Sequence, residues 1–372
     1  MTYRFHVVSL PHTQTTIAYN NCAFATLTRK FCSMMKSLGH EVIVYSGEDN
    51  DAPCDEHVSC ITKQEQFDMM GIKDPADILK YPFAEHTYDM DAPWWPFWNG
   101  RLIQAMEPRA QQKDFLCLIG GGVLFEPLIA VMRNRMIAAE YAIGYGGVSP
   151  NSWHAYGSSN WQHVVYGMQP PEGWRGRAYD RWIPHYFDPA DFEFRTEKDD
   201  YFLYLGKLKH DKGPNVGARA CKLTGNKFIA AGQGPTPIEY GEVRNRHIGA
   251  KERRELFAGA RGCFVPSLYV EPFGMVAVEA LMSGTPIITT TWGGLGEINI
   301  DGVTGYQCNT MQDFVNAVLD IDKIDPQACR DRGMRYAMDN VRHEYQRWFD
   351  DLYGLWGEGW GAVEIKREGA LV

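Results

Sequence analysis

The chain has no Cys-x-x-Cys pair, no run of about eighteen apolar residues and no excess of basic charge. Each absence removes a class of protein. Nine cysteines are scattered without framework spacing, which excludes a disulfide scaffold and fits free thiols in a reducing compartment. A cytoplasmic location is the expectation. The missing apolar run excludes a membrane-spanning helix. The opening Met1-Thr-Tyr-Arg-Phe-His-Val-Val-Ser-Leu10 reads as a strand and not as a signal peptide. A net charge of −9 argues against a nucleic-acid or anionic-membrane surface covering the whole protein, so no nucleic-acid partner is expected. Internal repeats and low-complexity tracts are also absent.

What remains is ordinary soluble-protein composition, 45% hydrophobic and 22% charged. At 372 residues the chain exceeds the size at which one core splits, so two domains are expected. One stretch organises the rest. Cys263-Phe264-Val265 reads as the end of a buried strand, stopped by Pro266 and Ser267. A short loop carries Glu271, then a helix starts near Gly274 and carries Glu279. Gly284-Thr-Pro286 ends it, and Ile287-Ile-Thr289 is the next strand, completing a βαβ unit. The loop lies at the strand's carboxyl end, where open α/β sheets bind ligands. Gly274 admits close approach, and the first helix amides, at Met275 and Val276, lack intrahelical acceptors and carry the dipole's positive end. That suits phosphate. Glu271 and Glu279 suit hydroxyls instead, as a sugar or ribose offers.

The pattern Glu271-Pro-Phe273-Gly, then Glu279-Ala, then Gly284-Thr-Pro resembles the Glu-x7-Glu signature of retaining GT-B glycosyltransferases. The similar family contains sucrose synthases and phosphatidylinositol mannosyltransferases. The resemblance implies an α/β protein of GT-B architecture, two Rossmann-like doubly wound domains facing each other across a cleft. It implies that Glu279 holds the nucleotide ribose, that Glu271 lies against the donor sugar, and that the amides of Gly274, Met275 and Val276 hold the diphosphate.

Further segments resemble the same family. Gly206-Lys207-Leu-Lys-His-Asp-Lys212-Gly resembles the Gly-Arg-(x)4-Lys-Gly loop, whose two cations neutralise the diphosphate. Lys207 replaces the arginine, keeping the charge but losing the fork. Ile183-Pro-His-Tyr-Phe-Asp188 resembles the interdomain segment, with His185 for the usual asparagine. The boundary is therefore set near Asp188: residues 1–187 form an acceptor-side domain and 188–338 a donor-binding domain. A final helix within 339–372 is expected to return to the first domain. At the amino terminus, Pro11-His-Thr-Gln-Thr-Thr16 stands where the family has a glycine pair, and its hydroxyl and amide groups are expected to replace backbone amides.

Between these landmarks the reading is coarser. A helix is predicted over roughly 124–140, after the triple glycine 120–122, and a strand and turn over 142–147. The aromatic stretch Asp89 to Trp98 either lines an acceptor site or packs a loop onto its own domain, with packing favoured. Asp89 and Asp91 form an Asp-x-Asp pair, but no metal is assigned. Tyr145 stands where the family has a histidine near the donor, so His163 is taken as the candidate catalytic histidine. The expected reaction moves a sugar from a nucleotide diphosphate donor to an acceptor hydroxyl with retained configuration and no further cofactor. Glu271, Lys212, Lys207 and His163 are its catalytic candidates. Glu279, Phe273, Gly274, Met275, Val276 and Gly206 are its donor contacts. A carbohydrate or glycoconjugate is the expected acceptor. A phosphorylase, a nucleotide-sugar epimerase and a silent nucleotide-sugar-binding protein would use the same residues.

Overall fold

The computed structural model describes residues 1–19, 22–73, 89–169 and 176–355. Contacts divide the chain into two units. The first comprises 1–155, 177–181 and the chain from Arg342, and the second comprises 156–176 and 182–341.

The first unit is built on strands β1 (Arg4–Val8), β2 (Glu41–Gly47), β3 (Glu56–Ile61), β4 (Asp114–Leu118), β5 (Met136–Ile143), β6 (Trp153–Tyr156) and β7 (Arg181–Trp182). Their order is β3-β2-β1-β4-β5-β6-β7, and the central pairs are parallel. Helices α1 (Ala23–Ser37), α2 (Lys63–Met70), α3 (Trp94–Met106) and α4 (Glu126–Met132) join them. In α1, Leu27, Phe31, Met34 and Met35 are buried at helical spacing, and Gly39 follows in the left-handed conformation.

Two expectations need correction. The helix predicted over 124–140 ends at Met132, and residues 136–143 are a fully buried strand. Glu140 broke the apolar pattern, yet its carboxylate is buried in full and satisfied by Tyr145, Ser152 and the amides of Gly122 and Ser149. The part of the aromatic stretch from Trp94 to Trp98 opens α3 and is not a loop; Pro96 is tolerated in the first turn, where its missing N–H costs nothing. Trp95 and Trp98 pack into the core with Leu102 and Met106.

The second unit holds α5 (Ser159–Met168), β8 (Phe202–Leu205), α6 (Pro214–Thr224), β9 (Phe228–Ala231), β10 (Glu242–Arg244), α7 (Ala250–Gly259), β11 (Gly262–Val265), α8 (Met275–Met282), β12 (Ile287–Thr290), α9 (Gly294–Ile298), β13 (Gly305–Cys308), α10 (Met311–Asp320) and α11 (Pro326–Met334). Its sheet runs β10-β9-β8-β11-β12-β13, with every pair parallel. Strands buried on both faces read as short apolar runs, which is why β8, β11 and β12 are recognisable in the sequence. Segment 156–176 groups with this unit: Ser159 and the Asn160 amide bond Glu297, and the Asn160 side chain bonds the Gly293 carbonyl.

The last helix, α12 (Met338–Leu355), enters the first unit from Arg342. Phe349 meets Phe5 at 4.7 Å and Phe115 at 4.8 Å between ring centroids. Tyr345, Trp348 and Leu352 are buried alongside. The part of the predicted final helix beyond residue 355 lies outside the described residues. Among the described residues, no helix is long and apolar enough to cross a membrane, and all nine cysteines are free.

Candidate functional site

In the second unit the chain leaves β8 toward β9 on one side, and β11 leads to β12 on the other. The switch point lies between β8 and β11, where an open parallel sheet leaves a crevice at its carboxyl edge. The loops after those strands, 206–213 and 266–274, meet there. The Leu268 amide donates to the Asp211 carbonyl at 2.7 Å, and a Cβ at Gly213 would fall 2.2 Å from the Pro266 carbonyl oxygen.

This meeting brings Lys212 onto Glu271. Lys212 Nζ donates to Glu271 Oε2 at 2.9 Å and to Oε1 at 3.2 Å, and it also contacts the Tyr269 hydroxyl. The ammonium sits 4.6 Å from the centre of the Tyr269 ring. Glu271 Oε2 further accepts from Ser267 Oγ at 2.7 Å and the Tyr269 hydroxyl at 2.8 Å. Burial first, and the Glu271 carboxylate second, push the Tyr269 phenol well above its usual range, so it stays a protonated donor. The Glu271 side chain is only 13% exposed.

Two glycines hold this loop close to the next. A Cβ at Gly293 would lie 2.3 Å from the Glu271 carbonyl oxygen, which the Gly294 amide bonds at 2.8 Å. Gly274 precedes α8 at φ +106°, where a Cβ would strike Leu295 at 2.5 Å. Helix α8 therefore starts against α9, with Met275 and Val276 in its first turn. Phe273 is buried, its ring 4.6 Å from that of His185.

Glu279 lies in the second turn of α8 and is buried. Its Oε2 pairs with Arg253 of α7. Lys207 shares the loop of Lys212. Its side chain is exposed, and its carbonyl accepts from the Tyr204 hydroxyl at 2.7 Å. Gly206 and Leu208 are bonded to Ala231 and Gln233, which sets this loop beside the turn after β9.

The predicted histidine is not drawn into the cluster. His163 lies exposed on α5, and among the described residues no hydrogen bond or ion pair links it to Glu271 or Lys212. The buried histidine of consequence is His154, in the first unit. Its Nδ1 bonds Asp180 at 2.9 Å, and its Nε2 bonds the Ser149 carbonyl at 2.9 Å with Glu140 at 3.5 Å. Burial pulls its pKa down, but the bonds to Asp180 and Glu140 outweigh this and raise it to about 9.

The polar loop after β1 is tied into its own unit. Gln14 bonds Gln66 and the Asp49 amide, and Thr15 bonds Ser9, so these groups face their own unit as buried structural links.

Sequence reasoning missed Ser267, Tyr269 and Arg253. Two of them precede Glu271 by four and two residues, a local signal a search for hydroxyl donors could have used. Arg253 is 26 residues from its partner and leaves no such trace.

Residues 189–332 match the family model Glycosyl transferases group 1. The glycogen synthase of Mycobacterium tuberculosis is 34% identical over 122 residues, which span 28% of this chain and 29% of that enzyme. The chain thus covers well under half the length of this relative. Sucrose-phosphate synthase from Thermosynechococcus elongatus has a similar structure, with a TM-score of 0.67 at 14% identity over 95% of this chain and 99% of that one. Anabaena Alr3699/HepE, solved in complex with UDP and glucose, gives a TM-score of 0.62 at 13% identity over 94% of this chain and 100% of that one. The chain has the GT-B fold of two Rossmann-like parallel α/β domains, and its group 1 match lies wholly within the second unit.

Proposed function

We propose that the chain is a retaining glycosyltransferase, moving a sugar from a nucleotide diphosphate donor to a hydroxyl of a carbohydrate or glycoconjugate acceptor. The observation that carries this reading is the pairing of Lys212 with Glu271 at the switch point, one residue-loop away from the start of α8. A cation and a helix start suit a diphosphate, and a carboxylate beside them suits sugar hydroxyls. The group 1 match over the same residues and the UDP complex of a structural relative support it.

In the proposed reaction the bond between the sugar's anomeric carbon and the diphosphate oxygen breaks. A bond to the acceptor oxygen forms on the same face, and the acceptor's proton passes to the leaving phosphate oxygen. Charge grows on the diphosphate, where Lys212 and the amides of Met275 and Val276 stabilise it and Lys207 adds a second cation. The low exposure around Glu271 strengthens such interactions. Glu271 holds the sugar hydroxyls and eases positive charge at the ring. It is not assigned as a covalent nucleophile, since two-step retention needs a carboxylate placed at the anomeric carbon. No metal is assigned a role.

The test is incubation with UDP- and GDP-sugars and an acceptor panel, reading released nucleotide and the anomeric configuration of the product by NMR. Transfer with retained configuration is expected. An inverted product, or no nucleotide release with any donor, overturns the proposal.

A further inference from the structure

The ion pair behind Glu279 points to a further residue. Glu279 is an acid buried on a helix of apolar residues, with its side chain 10% exposed. Such a carboxylate needs partners to remain charged. Oε2 has one in Arg253, yet Oε1 accepts no hydrogen bond among the described residues. The pair is therefore half used: one oxygen is anchored and the other stays an open acceptor.

Arg253 is itself held in place. It lies one turn into α7, with its amide bonded to the Gly249 carbonyl at 2.9 Å. Its guanidinium lies 5.4 Å from the centre of the Phe257 ring, four residues on, and Phe257 is fully buried. A planar guanidinium resting on a fixed ring has little freedom to follow a moving carboxylate. It instead dictates which way Glu279 faces.

We infer that Arg253 is a positioning residue for donor binding, anchoring one carboxylate oxygen of Glu279 so that the other accepts hydroxyls of the donor's ribose. This rests on the proposed reading in which Glu279 meets the ribose. The arrangement selects ribonucleoside diphosphates over their 2′-deoxy counterparts, since a lost hydroxyl leaves the little-exposed Oε1 without a donor. Arg253 touches no donor atom and acts only through the carboxylate.

The experiment is calorimetric titration of the whole chain with UDP, GDP and ADP and with their 2′-deoxy forms, for wild type, Glu279→Ala, Arg253→Ala, Arg253→Lys and the Arg253→Ala/Glu279→Ala double variant. Thermal melting confirms that each variant is folded. Wild type should prefer a ribonucleotide over its 2′-deoxy form by about tenfold, the loss expected for a hydrogen bond to a charged group. Arg253→Ala should lose most of that preference, Arg253→Lys should recover part of it, and the double variant should bind like Glu279→Ala alone. A purely structural arginine would lower the melting temperature and leave the preference unchanged, overturning the inference. If Glu279→Ala loses the preference while Arg253→Ala keeps it, the inference fails and the proposed function stands. If wild type binds none of the six nucleotides, the proposed function fails with the inference; if Glu279→Ala binds them all as wild type does, the inference fails together with the ribose role of Glu279. Should Arg253→Ala not fold, Arg253→Lys decides: full wild-type preference with a lysine in place overturns the need for the fixed fork.

Discussion

Truncating Lys212 separates electrostatic catalysis from structural support. In the folded chain the ammonium donates to both Glu271 oxygens and rests on the Tyr269 ring. Lys212→Ala removes the cation assigned to the diphosphate, but Glu271 keeps two hydroxyl donors, Ser267 at 2.7 Å and Tyr269 at 2.8 Å. The carboxylate is therefore not orphaned. The lysine side chain is 31% exposed, and a partly exposed pair contributes about 1 kcal/mol or less to stability. The melting temperature should fall by only a few degrees, on the order of 2–4 °C. Catalysis should suffer far more. Removing one preorganised donor from a developing anion costs about 3 kcal/mol, or roughly 10² to 10³ in turnover. Because charge builds on the leaving group in the transition state, the loss should fall on kcat more than on KM. Steady-state kinetics on the donor that wild type accepts, run beside thermal melts, read both quantities. Lys212→Ala with kcat within about threefold of wild type would refute the electrostatic role.

Other outcomes follow from the same geometry. Glu271→Ala should cut sugar transfer while nucleotide binding survives, and calorimetry showing both lost would contradict its assignment to the sugar. Gly274→Ala forces a Cβ onto Leu295 at a positive φ, so nucleotide affinity should drop by about tenfold or more as the start of α8 shifts; an unchanged Kd for UDP or GDP tells against the helix-start site. Transfer should persist in excess EDTA, and activity restored only by added divalent metal would show a metal dependence the proposal lacks. The pH dependence of folding has a definite sign. His154, raised to about 9 in the fold, binds its proton more tightly folded than unfolded. Its contribution, about 3 kcal/mol, is full below pH 6.5 and fades as pH rises to about 9. Lys198, pushed down to about 8 by burial, works in the opposite sense above pH 8. Wild type should thus lose melting temperature between pH 6.5 and 8, and His154→Gln should show a flatter profile there; parallel profiles would exclude His154 as the cause.

Much of the second unit was legible because its chemistry is local. Strand, loop and helix follow one another within 263–290, and both glutamates and the helix-starting glycine fall inside that span. What the sequence concealed is what the fold brings from a distance. Arg253 reaches Glu279 across two helices, and Glu297 on α9 bonds Ser159 and Asn160 at the start of α5. The first unit was harder for a different reason. A single buried glutamate, Glu140, interrupts the apolar run of β5, and only the surrounding donors reveal why it is tolerated. For Trp95 and Trp98 the sequence favoured packing over a sugar platform, and α3 places both in the core. The links from Gln14 to Gln66 and from Thr15 to Ser9 in the polar loop after β1 are likewise set by the fold and leave no mark in the sequence.

The most direct measurement is a crystal structure of the protein soaked with UDP or GDP. The diphosphate is expected at the amides of Met275 and Val276 beside Lys212, with the ribose on Glu279. Nucleotide bound elsewhere on the chain, or with its ribose away from Glu279, would contradict it.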